Sequence, residues 1–290
     1  MHLDEWRQAG KFFEHRGHPI FYREDGSGPA LLCVHGFPTA SWDWHKLWPQ
    51  LTARFHVVAA DMIGFGFSAK PLGYPYSILD QADLHEALMN RLGLREAIVL
   101  AHDYGDTVAQ ELLARHLEQR GLRLRGVCFL NGGLFPEVHR ARPIQKLLAS
   151  PLGPLLARFA SKRQFARSFA AVFAPATQPS AEEMDAFWQL QRHNDGHLAT
   201  PRLLGYLDER RRHRERWVGA LVRADVPLRF VNGPEDPVSG RHMAERYREV
   251  VPNADVVLLE GIGHYPQIED AAGVLRAFLE FAEAAAEKRS

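Results

Sequence analysis

The stretch 98–109, IVLAHDYGDTVA, restricts the fold more than any other part of the chain. An apolar run that reads as a buried strand passes there almost without a loop into a helical pattern, with Asp103 at the corner. A strand-to-helix turn this tight holds the corner residue in strained dihedrals and admits only small residues two positions away on either side, here Ala101 and Gly105. The corner side chain is pushed outward, toward solvent or a cavity. Where a serine stands at such a corner, a base must activate it before it attacks an acyl carbon. A carboxylate is already a nucleophile at neutral pH, but the mixed anhydride it would form with an acyl group is less stable than the ester attacked. It suits displacement at a saturated carbon bearing a leaving group, which yields an alkyl ester that water then cleaves.

Such a turn needs a large core around it, and 290 residues, 46% of them hydrophobic, suffice for one α/β domain carrying an insertion. A formal net charge of zero leaves no electrostatic footprint for nucleic acid, and the 15 histidines lack metal-ligand spacing. Nucleic acid, metal and cofactor are therefore not expected. Cys33 and Cys128 each fall inside an apolar strand-like run, as buried thiols rather than a disulfide, which fits a reducing compartment. Residues 1–6 lack an apolar signal region and nowhere do about 18 apolar residues run together, so a soluble cytoplasmic protein is expected.

In chain order, 11–14 and 20–23 read as an antiparallel hairpin, and 30–35 and 55–60 as buried strands running into the loops HGFPT and DMIGFGFS. Glycine-rich ends on consecutive strands mark the carboxyl edge of a parallel sheet. A helical repeat runs through Trp42, Leu47 and Leu51, and helices are predicted over 77–92 and 106–119, on either side of the elbow strand. The next strand is 124–130. Beyond Asn131, Gly132 and Gly133 no strand pattern returns until 227–231, and the interval is helical in composition. A helix at 239–250, a strand at 254–260 and an amphipathic helix at 271–287 complete the chain. The expected fold is α/β, a mostly parallel central sheet flanked by helices, with a core domain of 1–133 and 223–290 and a helical cap domain of 134–222 inserted after the strand ending near Leu130.

Four motifs stand at four strand ends, in the order HGFP from His35, HDYG from His102, GPEDP from Gly233 and GHYP from Gly263. Their order resembles the α/β-hydrolase superfamily, and within it the aspartate-nucleophile branch of epoxide hydrolases and haloalkane dehalogenases. HDYGDTVAQELL, NGGLFPEVHR, NDGHL, RWVGAL and HYPQIED further resemble the mesoderm-specific transcript protein family, from residue 30 to the end of the chain. In that order Asp103 is the expected nucleophile and His264 the base that activates water against its ester, a task suited to a side chain titrating near working pH. Asp236, with Glu235 as its neighbouring rival, is expected to accept the other ring N–H of His264. Cleaving the ester creates an oxyanion, for which the backbone N–H groups of Phe37 and Tyr104 are the expected donors, Pro38 having none. Asp106 is expected to be structural, an acid favoured by the helix dipole in the first turn. His35 and His102 are expected to be scaffolding.

The leaving group is harder to assign. Halide release needs two N–H donors, and Tyr104 and Phe37 stand where the branch carries such side chains; Trp188 and Trp217, from the cap, are the expected substitutes at the substrate pocket. Arginines beside the elbow, which fluoroacetate dehalogenases use to hold a carboxylate, are absent from that stretch. Epoxide opening needs a phenol to protonate the departing oxygen, and Tyr206 is the only cap tyrosine. The expectation is an epoxide hydrolase-like enzyme acting on a small-to-medium apolar organic substrate, with haloalkane dehalogenase as the alternative. A non-catalytic binding protein, or an ester or lactone hydrolase using Asp103 as a base, stay open. The basic run 210–214, RRRHR, reads as a solvated helix face, and with the apolar stretch 147–159 it admits docking at a membrane surface as a minor reading.

Overall fold

Arg16 and Gly17 both take positive φ, 49° and 79°, and turn β1 (Lys11–His15) back onto β2 (His18–Asp25) with His15 opposite His18. The computed structural model describes residues 1–287. The remaining strands are β3 (Ala30–Val34), β4 (His56–Ala60), β5 (Glu96–His102), β6 (Arg123–Leu130), β7 (Leu228–Asn232) and β8 (Val256–Leu258). They form one sheet in the order β1-β2-β4-β3-β5-β6-β7-β8, antiparallel at the β1–β2 and β2–β4 pairings and parallel elsewhere. The order reverses between β4, β3 and β5, and ligands in open α/β sheets bind beyond the carboxyl ends of strands at such a reversal.

The inner parts of the central strands, 30–34, 97–101 and 127–130, are apolar without interruption because both faces are covered. Leu32, Val34, Val99, Ala101, Val127 and Phe129 pack into one core beneath the helices Ile78–Arg91 and Tyr104–Leu117. Leu31, Cys33, Ile98, Leu100, Cys128 and Leu130 pack into the other, beneath Ala271–Glu287. Both cysteines are buried and free. The expected repeat over 42–51 splits into a 3₁₀ turn, Ser41–Trp44, and a short helix, Trp48–Thr52, with Pro49 in its first turn. A helix at Leu3–Gln8, which carries too few residues to show a period, docks Trp6 edge-on to Trp48 at 4.8 Å.

Between β6 and β7 every element is helical, ending in Tyr206–Arg212 and Arg214–Val222. The last of these is fastened to the elbow helix by Glu111, which accepts from Arg115 Nε at 2.9 Å, Arg216 Nε at 2.7 Å and Trp217 Nε1 at 2.9 Å. Burial would raise this carboxyl, but those donors hold it below its ordinary range. Leu147, Leu152, Leu155 and Phe159 stand exposed on the first part of the insertion. Among the described residues no helix is long and apolar enough to cross a membrane.

Candidate active site

Asp103 takes φ 47° and ψ −104°, a conformation a non-glycine residue holds only when its surroundings impose it. Here they do. A Cβ at Gly105 would lie 2.4 Å from the Val34 carbonyl oxygen and 2.6 Å from that of His35, and one at Gly36 would lie 2.6 Å from His102 Nδ1. The missing side chains let the end of β3 close onto the turn, so that the Phe37 N–H donates to Asp103 Oδ2 at 3.1 Å. Tyr104 opens the elbow helix, its ring buried. His35 braces the β3 loop by donating from Nδ1 to the Gly36 carbonyl at 2.9 Å and accepting the Met62 N–H on Nε2 at 3.0 Å. Burial lowers it to about 3, so it stays neutral.

The loops after β7 and β8 meet behind the turn. A Cβ at Gly233 would stand 2.2 Å from the Gly263 carbonyl oxygen, and this approach brings Asp236 to His264, whose Nδ1–H donates to Asp236 Oδ2 at 2.7 Å. Asp236 also accepts from Val238 N at 2.7 Å, Ser239 N at 3.1 Å and Asn131 Nδ2 at 3.0 Å. Burial alone would raise this carboxyl, yet His264 and these donors hold it at about 2. His264 Nε2 faces Asp103 Oδ1 at 3.9 Å, too far for a direct hydrogen bond. Burial would depress the imidazole, but Asp236 and then Asp103 raise it to about 9. Glu269 fixes the His264 loop from beneath, accepting from Gly263 N and Tyr265 N at 2.9 Å each.

Residues 29–271 match the family model described as alpha/beta hydrolase fold. The chain belongs to the α/β-hydrolase fold family. It is 45% identical to the human mesoderm-specific transcript homolog protein, over 96% of this chain and 87% of that one. Its structure is similar to the crystal structure of haloalkane dehalogenase DbeA from Bradyrhizobium elkani (TM-score 0.80, 24% identity, 97% of this chain and 99% of that one). It is also similar to the epoxide hydrolase CorEH (TM-score 0.76, 20% identity, 94% and 97%).

On the side of this α/β-hydrolase opposite the histidine loop, the helix Tyr206–Arg212 closes over Asp103. The Tyr206 ring lies edge-on to Tyr104 at 5.0 Å and 6.0 Å from Phe37. Its buried hydroxyl has no well-formed hydrogen bond, although the Gln145 amide approaches it. Burial and the charge of Asp103 push that phenol far up, so it keeps its proton. One turn on, Arg210 overturns the expected solvated face at its first position: it is 2% exposed, lies over the Tyr206 ring at 4.5 Å, and donates to the Asp103 carbonyl at 3.0 Å and to Thr107 Oγ1 at 2.7 Å. Its Nη2 stands 3.8 Å from Asp103 Oδ1.

The two tryptophans take other places. Trp217 spends its indole N–H on Glu111, and Trp188 packs on Phe165 at 5.5 Å beneath Arg192. Asp106 also departs from expectation. It is wholly buried against Gly132, Oδ2 has no hydrogen-bond partner among the described residues, and burial followed by the charge of Asp103 raises it well above the carboxylate range. Both causes work against the anion that the dipole would favour.

Asn131 was missed by sequence reasoning. At φ 43° its side chain spans two loops, accepting from Gly233 N at 2.7 Å while donating to Asp236. The signal was the polar residue at the end of β6, read only as the point where the strand pattern stops. The signal for Arg210 was its spacing: it lies four residues after Tyr206, on the same helix face.

Proposed function

We propose that this protein is an α/β-fold hydrolase that opens small organic epoxides through an alkyl ester on Asp103. The observation that carries the reading is the line from Asp103 Oδ1 to His264 Nε2 to Asp236, with a separation of 3.9 Å at its first step and a hydrogen bond of 2.7 Å at its second. In the first step Asp103 Oδ1 attacks a ring carbon, the C–O bond breaks, and Tyr206 gives its proton to the departing oxygen. His264 then takes a proton from water, the hydroxide adds to the Asp103 carboxyl carbon, and the N–H groups of Phe37 and Tyr104 hold the resulting oxyanion. Collapse releases the diol oxygen, which His264 reprotonates, and the proton left on Asp103 returns to Tyr206.

Esterification also switches the base on. While Asp103 is charged it helps to keep His264 protonated; once alkylated it has lost that charge, and His264 releases its proton to solvent and can then accept one from water, regaining the solvent proton when Asp103 is freed. In this reading 134–222 is a cap domain over a core of 1–133 and 223–290. The Tyr206 hydroxyl, with no well-formed hydrogen bond, and the engaged Trp217 N–H favour epoxide over halide. Buried free thiols at Cys33 and Cys128 fit a reducing compartment such as the cytoplasm.

The test is single turnover in oxygen-18 water with a panel of epoxides and haloalkanes, followed by mass analysis of the peptide containing Asp103. Label in that peptide, and accumulation of its alkylated form in His264→Gln, are expected. Label found only in the product, from Asp103-independent hydrolysis, would sink the covalent reading, and haloalkane turnover without epoxide turnover would reassign the leaving group.

A further inference from the structure

Arg210 is a buried cation only partly used. Nε and Nη2 are committed to Thr107 and the Asp103 carbonyl, but Nη1 is enclosed without a hydrogen-bond partner among the described residues, and so is His139 Nε2. The two converge over Gly133, where a Cβ would stand 2.2 Å from Arg210 Nη1 and 2.8 Å from His139 Cδ2. His139 and Arg210 also line a hollow of about 310 Å³ whose other charged residues are Arg140, Lys146 and Arg211, with no acid among its walls. Two enclosed, unpaired nitrogens beside a hollow with no acid in its walls mark the place of a missing acceptor.

We propose that the substrate carries a carboxylate, bound by Arg210 Nη1 and His139 Nε2, a few bonds from the carbon that Asp103 attacks. The inference rests on the reading of Asp103 as nucleophile and narrows its substrate class. The two enclosed donors carry a single positive charge between them, which suits a carboxylate better than a phosphate dianion, the further cations Arg140, Lys146 and Arg211 being exposed to solvent. The charge balance runs the same way. In the free protein Asp103 Oδ1, 3.8 Å away, compensates Arg210; alkylation removes that compensation and would strand a buried cation unless the substrate brings an anion of its own. A neutral analogue leaves two buried N–H groups unpaired, and sites of this kind discriminate strongly against such analogues.

Calorimetric titration of the full chain with butanoate, butanamide and inorganic phosphate tests this directly. Butanoate is expected to bind at least about tenfold more tightly than the other two. Asp103→Asn, which frees Arg210, is expected to tighten butanoate by about tenfold and leave butanamide unchanged. Arg210→Gln should abolish the preference. Because that variant also loses a brace on the elbow, His139→Phe provides the independent arm, lowering kcat/KM for oxirane-2-carboxylate relative to oxirane-2-carboxamide. Equal binding of acid and amide, preference for phosphate, or no tightening in Asp103→Asn overturns the carboxylate site whatever the labelling of Asp103 shows. Tight butanoate binding with no label in Asp103 leaves the site standing and removes the covalent mechanism.

Discussion

Replacing Asp103 by asparagine removes a charge while keeping shape, and its effect on His264 follows from the geometry. The separation of 3.9 Å between Oδ1 and Nε2 corresponds to about 4 kcal/mol at an effective dielectric of about 20, or roughly 3 pKa units. Asp236 is the larger cause of the upward shift and remains, while Arg210 loses its partner and adds repulsion. His264 in Asp103→Asn is therefore expected to titrate at least one unit below the value of about 9 in the parent protein. Proton and carbon NMR of histidine-labelled protein reads this, the resonance being assigned by its loss in His264→Gln. His35, pushed to about 3, and His102, pushed to about 4, do not titrate in the same window. A His264 titration that moves by less than about 0.3 unit would refute electrostatic coupling of the two groups, and with it the argument that esterification releases the base.

Three further outcomes are expected. The folded value of about 9 for His264 lies above the ordinary 6.5, so its contribution to stability, on the order of 3 kcal/mol, is complete below about pH 6.5 and is lost as pH rises through 9; the Asp236 contribution is complete above about pH 4 and is lost as pH falls through 2. Urea unfolding across this range checks both signs. Asn131→Ala leaves Asp236 and Gly233 each short of a partner and is expected to cost about 1–3 kcal/mol in thermal unfolding, with turnover falling further than stability alone explains. Trp217→Phe strips a donor from buried Glu111 and is expected to cost a similar 1–3 kcal/mol while leaving the kcat of the folded fraction unchanged; a selective loss of haloalkane turnover would place Trp217 at the leaving group instead.

Much of the fold was readable because it is written locally. The uninterrupted apolar runs of β3, β5 and β6 require cover on both faces, and the elbow follows from a strand running into a helix with Ala101 and Gly105 flanking Asp103. His264 and Asp236 were found through motifs at strand ends, since each loop needs its own glycines to approach the others. Edge strand β8 spans Val256–Leu258, shorter than the expected 254–260, although hydrogen bonds to β7 extend one residue beyond it on each side, from Phe230 N to the Asp255 carbonyl and from Leu259 N to the Asn232 carbonyl.

What the sequence determined by itself was a choice of chemistry: a carboxylate rather than a hydroxyl at a turn whose strain comes from its nearest neighbours. Tertiary structure decided the surroundings of that carboxylate. Whether Arg210 lies in water or against Asp103 depends on how the helix Tyr206–Arg212 is rotated on the core, and the run RRRHR, polar at every position, carries no apolar stripe to fix that rotation. The rotation is set elsewhere, by Tyr206 against Phe37 and Tyr104 and by Arg216 and Trp217 on Glu111, contacts between residues about a hundred or more positions apart. Burial follows from such distant contacts, and burial is what turns a surface-like arginine into a charge beside Asp103 and pushes the Asp106 carboxyl upward.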